Sequence, residues 1–145
     1  MRIVLQRISR GRVAVGGETV AGSGPGLLLL VGVGAVDDGS EVARLAGRIY
    51  HLRIFEDDDG KMNRSLEDVG GEVLVVPNFT LYGDTRKGRR PSWVDAAPPE
   101  VAEERVEALC AALEALGATV HRSAFREHMA VDLVNDGPVT LVLEA

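Results

Sequence analysis

Three short stretches carry side chains whose types and spacing suit chemistry. Between Asp84 and Trp93 stand Arg86, Lys87, Arg89 and Arg90 against a single acid, with Gly88 inside the run. Such a loop can offer guanidinium forks to phosphates, with an indole beside them for stacking. A solvated loop pairing with nearby carboxylates explains the same residues, and composition alone slightly favours it. Just upstream, Asn78-Phe79-Thr80-Leu81-Tyr82-Gly83-Asp84 sets one amide and one hydroxyl among apolar residues at an expected strand end. Thr80 is a candidate nucleophile, yet no base lies near it in sequence and β-branched residues are ordinary in strands. The third stretch, Asn135-Asp136-Gly137-Pro138-Val139-Thr140, reads as a simple hairpin turn between two alternating strands.

Other motifs fail on spacing. Gly32-Val33-Gly34 follows an expected strand, but Asp37 stands where a dinucleotide fingerprint needs its third glycine. Asp57-Asp58-Asp59-Gly60 brings its glycine too early for a calcium loop and reads as a solvated acidic turn. No serine sits in a Gly-x-Ser-x-Gly elbow. His51, His121 and His128 show no metal-ligand spacing, and neither a metal nor a cofactor is expected. His51 falls near a helix end, where it complements the dipole, and the other two histidines read as surface residues. Cys110 lies on the apolar stripe of a helix, as a small core residue does.

The elements that must position these stretches follow from periodicity. Ile3, Leu5 and Arg7 alternate onto one face, and Gly16-Gly17 separates two β-prone runs as a tight hairpin. Leu27 to Val33 reads as a buried strand. From Ser40 the period becomes helical, with Val42, Leu45, Ile49 and Leu52 in one stripe and Asp38 or Ser40 as N-cap. Phe55 to Asn63 is a polar loop, and Glu72 to Val76 a strand continuing through Leu81. Pro98-Pro99 opens a second helix whose apolar face runs from Val106 to Leu116, with Gly117 just beyond its end. Strands are expected at Thr119–His121, Met129–Val134 and Val139–Leu143. The order predicts an α+β fold, a single compact domain over residues 1–145. Its β-rich sheet is largely antiparallel or mixed and carries two main helices.

Composition sets the outer bounds. The 145 residues include 16 Lys+Arg and 22 Asp+Glu, for a net charge of −6. With 46% hydrophobic and 26% charged residues, the chain is neither disordered nor collagen-like, and one cysteine makes no disulfide scaffold. A lone cysteine suits a reducing compartment. The most apolar run, Leu27 to Val36, is too short to span a bilayer, and Arg7 interrupts where a signal peptide would stay apolar. A cytoplasmic protein without a membrane role is expected. The acidic total argues against nucleic acid. The basic run at Arg86–Arg90, however, leaves the rest of the chain more acidic than that total, so charge is segregated.

Taken together, the segments resemble the D-aminoacyl-tRNA deacylases over essentially the whole chain. The likeness is carried by Met1-Arg2-Ile3-Val4-Leu5-Gln6-Arg7, Leu52-Arg53-Ile54-Phe55-Glu56 and Gly60-Lys61-Met62-Asn63-Arg64-Ser65. It continues in Asn78 to Asp84, Lys87-Gly88-Arg89-Arg90-Pro91-Ser92 and Leu133 to Thr140. The resemblance implies a homodimer with active sites at the subunit interface. It also implies hydrolysis of the ester joining a D-amino acid, or glycine, to the tRNA 3′ end. Phe79 and Thr80 would line the catalytic pocket, with Thr80 a pocket residue and not an obligatory nucleophile. Gly137 and Pro138 would form a cis dipeptide whose carbonyls, inserted into the other subunit's site, exclude an L side chain. Arg7 would hold that dipeptide, Asn78 and Met129 would support the pocket, and Arg86, Lys87, Arg89 and Arg90 would dock tRNA phosphates. The family usually has Ser-Gln where this chain has Pro77-Asn78. Pro77 is similar to a related animal group that edits L-alanine, although that group lacks the phenylalanine present here as Phe79. The alternatives are therefore an L-alanyl-tRNA-directed editor and a non-catalytic nucleic-acid-binding module.

Overall fold

The computed structural model describes residues 1–145. Strand β1 (Arg2–Val15) is the spine of a mixed sheet. Along one edge it pairs antiparallel with β8 (Met129–Glu144) from Arg2 to Val15. Its other edge is shared by β3 (Gly26–Gly32) near the amino end and β2 (Glu18–Ser23) near the carboxyl end, both antiparallel. β3 then pairs parallel with β6 (Glu72–Pro77), and β6 parallel with β7 (Thr119–Arg122). The Gly16-Gly17 hairpin forms as expected, with both glycines at positive φ.

Central parallel strands must bury both faces, which explains the unbroken apolar runs of β3 and β6. Leu27, Leu29, Val31, Val73 and Val75 point toward helices α1 (Val42–His51) and α3 (Pro99–Ala115), forming the main core with Leu45, Ile49, Leu109 and Leu113. Leu28, Leu74 and Val76 point the other way and meet Ile8 and Val13 in a smaller cluster. No helix is long and apolar enough to cross a membrane.

Four local expectations need correction. Glu41, not Asp38 or Ser40, precedes α1, and the Asp38 carboxylate instead accepts the Ser40 N–H at 2.9 Å in the turn before the helix. The Phe55–Asn63 loop contains a small hairpin of β4 (Phe55–Glu56) and β5 (Met62–Arg64), closed by Asp57, which accepts the Asp59 and Lys61 N–H groups. A one-turn helix, α2 (Leu66–Val69), follows, and Ser65 and Asp68 cap it reciprocally. β6 does not run on through Leu81. After Pro77 the chain turns at Asn78 into a 3-10 turn, Phe79–Tyr82. The turn packs on Gly32 and Gly34: a Cβ at Gly34 would lie 2.8 Å from the Tyr82 ring, and one at Gly32 3.0 Å from the Leu81 Cβ. Those two glycines thus serve a close backbone approach.

The fourth correction concerns Asn135–Thr140. The chain does not reverse there, because residues on both sides pair antiparallel with β1, with the register shifting across the segment. Gln6 faces Thr140 while Ile8 faces Asn135, so Asp136 to Val139 bulge out opposite the single residue Arg7.

Candidate active site

An open cleft of about 910 Å³ lies where the carboxyl ends of β3 and β6 meet the start of α3. Crevices outside the carboxyl ends of parallel strands are common ligand sites. Val31, Pro77, Asn78 and Phe79 form one wall, and Phe125 and Met129, from the segment entering β8, form the other. The lining is mainly apolar, with Asn78, Arg126, Glu127 and His128 as its polar groups. Asn78, Phe79 and Met129 therefore meet at one place.

Thr80 sits one residue beyond the wall, exposed, and its hydroxyl donates to the Asn78 side-chain oxygen at 2.5 Å. An amide oxygen is no base, so this contact orients the hydroxyl without activating it as a nucleophile. It also spends the only proton the hydroxyl has, which leaves Thr80 to act as an acceptor. Phe79 is 57% exposed, an uncommon placement for a large apolar ring, and meets Trp93 edge to face at 5.3 Å.

Arg7 is 4% exposed, one of two buried polar side chains. It fills the space behind the bulge. Its Nη1 donates to the Ile54 carbonyl at 2.6 Å and its Nε to the Asp136 carbonyl at 3.0 Å. The Asp136 carboxylate stands 3.5 Å away and the Glu56 carboxylate 3.9 Å. Asn135 braces the bulge from the other side, accepting the Val139 N–H at 3.0 Å and donating to the Val139 carbonyl at 3.1 Å. The Gly137-Pro138 peptide is cis, and both residues are exposed. Neither lines the cleft of its own chain. Met129 pairs with Val15 and Asn135 with Ile8, so roughly 20 Å of extended strand separates the cleft wall from the bulge.

The basic stretch is a loop closed by two backbone bonds between Asp84 and Ser92, at 2.8 and 2.9 Å. Arg86 forks onto the Asp84 carboxylate at 2.9 and 2.8 Å, and these bonds hold the Asp84 carboxyl down to about 2. For Arg86 the solvated-pair reading is thus correct. Lys87, Arg89 and Arg90 are exposed and make no ion pair, so three cations stay available. The remaining sequence candidates lie elsewhere. His51 closes α1 beside Glu67 at 3.2 Å, and His121 pairs with Glu72 at 2.8 Å. His128 is exposed on the cleft rim. Cys110 is buried in the main core, where burial pushes its thiol up to about 11.

Sequence reasoning missed Phe125 as a cleft residue and Asn135 as a brace. Neither spacing nor periodicity marks them: Phe125 lies in the loop before β8, and Asn135 reaches Val139 only because the chain bulges between them. The Trp93–Phe79 contact was signalled only by the presence of an aromatic beside the basic run.

Comparison with known proteins bears on this geometry. Residues 4–144 match the family model described as D-Tyr-tRNA(Tyr) deacylase. A D-aminoacyl-tRNA deacylase of Heliobacterium modesticaldum is 57% identical over 144 residues, covering 99% of this chain and 96% of the relative. One from Thermomicrobium roseum is 54% identical over 145 residues, covering 100% and 94%. Among solved structures, the c-Myc DNA Unwinding Element Binding Protein superposes with a TM-score of 0.93 at 35% identity, covering 100% of this chain and 99% of that one. A probable eukaryotic D-amino acid tRNA deacylase shares the fold with a TM-score of 0.81 at 18% identity, covering 98% and 97%.

Proposed function

The chain belongs to the D-Tyr-tRNA(Tyr) deacylase family, and from that premise we propose that it hydrolyses the ester of D-aminoacyl-tRNAs in the cytoplasm. Water adds to the ester carbonyl, the ribose oxygen leaves with a proton, and free D-amino acid and tRNA are released. The observation that carries this reading is the cleft beyond β3 and β6, with Asn78 and Phe79 on its wall, in a chain matching the family almost end to end.

An aminoacyl ester beside a vicinal 2′-hydroxyl is already reactive, so the protein's task is to position water and stabilise an oxyanion. Phe79 and Thr80 open the 3-10 turn, and their N–H groups have no acceptor within it. They are the donors we assign to the developing oxyanion. Thr80, its hydroxyl donating a hydrogen bond to Asn78, faces the substrate as an acceptor.

Chirality is judged by rejection. The Gly137-Pro138 carbonyls of a second copy enter the cleft and collide with an L side chain, whereas glycine has none to reject. The roughly 20 Å between bulge and cleft within one chain supports a cross-subunit arrangement. So does β8, which pairs only with β1 and exposes Val131, Val134, Leu141 and Val142. A homodimer that covers this edge would bring each bulge to its neighbour's cleft.

The test is purified protein with D-tyrosyl-tRNA and L-tyrosyl-tRNA, with glycyl- and L-alanyl-tRNA alongside. Rapid release from the D-ester and from glycyl-tRNA, with L-tyrosyl-tRNA spared, is the expected result. Equal hydrolysis of both tyrosyl esters, or of neither, would overturn the D-specific reading. Preference for L-alanyl-tRNA would favour the editor suggested by Pro77. A second reading, a nucleic-acid-binding module without turnover, draws on the DNA-element-binding name of one structural relative. It predicts salt-sensitive binding with no product released.

A further inference from the structure

Trp93 takes no part in the chemistry just described, yet it is 42% exposed at the cleft mouth. Exposing an indole leaves a large apolar surface in water, so a fixed and exposed one suits a partner. Its place is set on three sides. The Phe79 ring meets it edge to face at 5.3 Å. Gly83 lies so close that a Cβ there would come 2.6 Å from the indole. The preceding residue, Ser92, is tied to Asp84 by two backbone bonds. Trp93 thus stands between the cleft, marked by Phe79, and the loop bearing Lys87, Arg89 and Arg90.

A ring bordered by unpaired cations is how proteins hold single-stranded nucleic acid: a base stacks while the backbone follows the charge. Building on the deacylase reading, we propose that Trp93 stacks the base of the nucleotide preceding the esterified one. Lys87, Arg89 and Arg90 then take the phosphates leading away from the site. Arg86 is outside this set because its fork is spent on Asp84. The esterified nucleotide occupies the cleft, and the next base outward meets the first aromatic surface on the path to the cations. That surface is Trp93.

Trp93 is the only tryptophan, so its fluorescence reports on this contact directly. The probes are a single-stranded RNA hexanucleotide ending in cytidine-cytidine-adenosine and adenosine monophosphate. The hexanucleotide is expected to quench Trp93 and shield it from acrylamide, whereas the monophosphate leaves it unchanged. Hexanucleotide affinity should fall with a log–log salt slope of about −2, shrinking by about 0.7 in each of Lys87→Ala, Arg89→Ala and Arg90→Ala. Trp93→Ala should raise Kd, and KM for D-tyrosyl-tRNA, by about fivefold or more with kcat unchanged, while Trp93→Phe stays near wild type. Because Trp93→Ala removes the packing on Gly83, acrylamide shielding of the unaltered protein provides a test free of any variant. A silent tryptophan in a preparation that hydrolyses D-tyrosyl-tRNA, or full quenching by the monophosphate alone, overturns the stacking role and spares the deacylase reading. Quenching by the hexanucleotide without hydrolysis supports the RNA contact and overturns the deacylase reading.

Discussion

Arg7 and Asp136, 129 positions apart in the chain, meet where the Arg7 Nε–H donates to the Asp136 carbonyl at 3.0 Å. The same guanidinium holds the Ile54 carbonyl, so one buried cation ties the β8 bulge to the segment after α1. Replacing it with methionine keeps the length and orphans two carbonyls, each costing about 1–3 kcal/mol if left buried and unpaired. Arg7→Met should therefore destabilise by about 2–4 kcal/mol in urea unfolding. Its D/L hydrolysis ratio should fall further than its stability alone explains.

Gly137 is held more tightly than its exposure suggests. Its φ is +139°, and a Cβ would lie 2.8 Å from both the Val139 nitrogen and Cγ2, and 3.2 Å from Arg7 Nη2. Gly137→Ala should cost about 1–3 kcal/mol through backbone strain. By moving the bulge it should also abolish most D-tyrosyl-tRNA hydrolysis. Activity retained within twofold would remove Gly137 from the site.

Thr80→Ala separates positioning from covalent catalysis. With its hydroxyl bonded to Asn78 and no base at hand, removing it should leave kcat/KM for D-tyrosyl-tRNA within about tenfold of wild type. A folded variant down by about a thousandfold or more would restore Thr80 as the nucleophile.

The β8 edge carries the assembly prediction. Val142 is 60% exposed, and Val131 and Val134 are exposed on the same strand. Sedimentation should show a dimer for the unaltered chain and a folded monomer for Val134→Lys combined with Val142→Lys. The monomer should lose deacylation, because no bulge would then reach its cleft.

Cys110 makes a pH prediction. Burial raises its thiol from 9.0 to about 11, so the folded protein keeps it protonated at pH 8. A thiol reagent at that pH should label it only after unfolding. The unfolded thiol ionises first, so its contribution to stability is intact below about pH 9. That contribution should decline as the pH rises from about 9 to 11, and the Cys110→Ala variant should lack this decline.

Sequence pattern located the strands of the main sheet and both main helices, because burying a regular element leaves an apolar imprint, but it did not reveal the short β4–β5 hairpin. Leu27 to Val33 and Val106 to Leu116 carry that imprint plainly. The 3-10 turn at Phe79 left no such imprint: four residues are too few for a period, and the glycines that admit the turn lie more than forty residues earlier. The Ser65–Asp68 cap opens a helix of a single turn, too short to leave an apolar repeat.

The sequence by itself determined the element types, the segregation of positive charge around Arg86–Arg90, and the motif set that resembles a deacylase family. Tertiary structure alone decided how those pieces act. It turned an expected Asn135–Thr140 hairpin into a bulge within one strand, spent Arg86 on Asp84, and buried Arg7 as the bulge's support. The reason is physical. Local periodicity records which face of an element is buried, but not which distant carbonyl or carboxylate will meet a given side chain. Those meetings are set by strand register, and here the pairing of β8 with β1 across the length of the chain sets it.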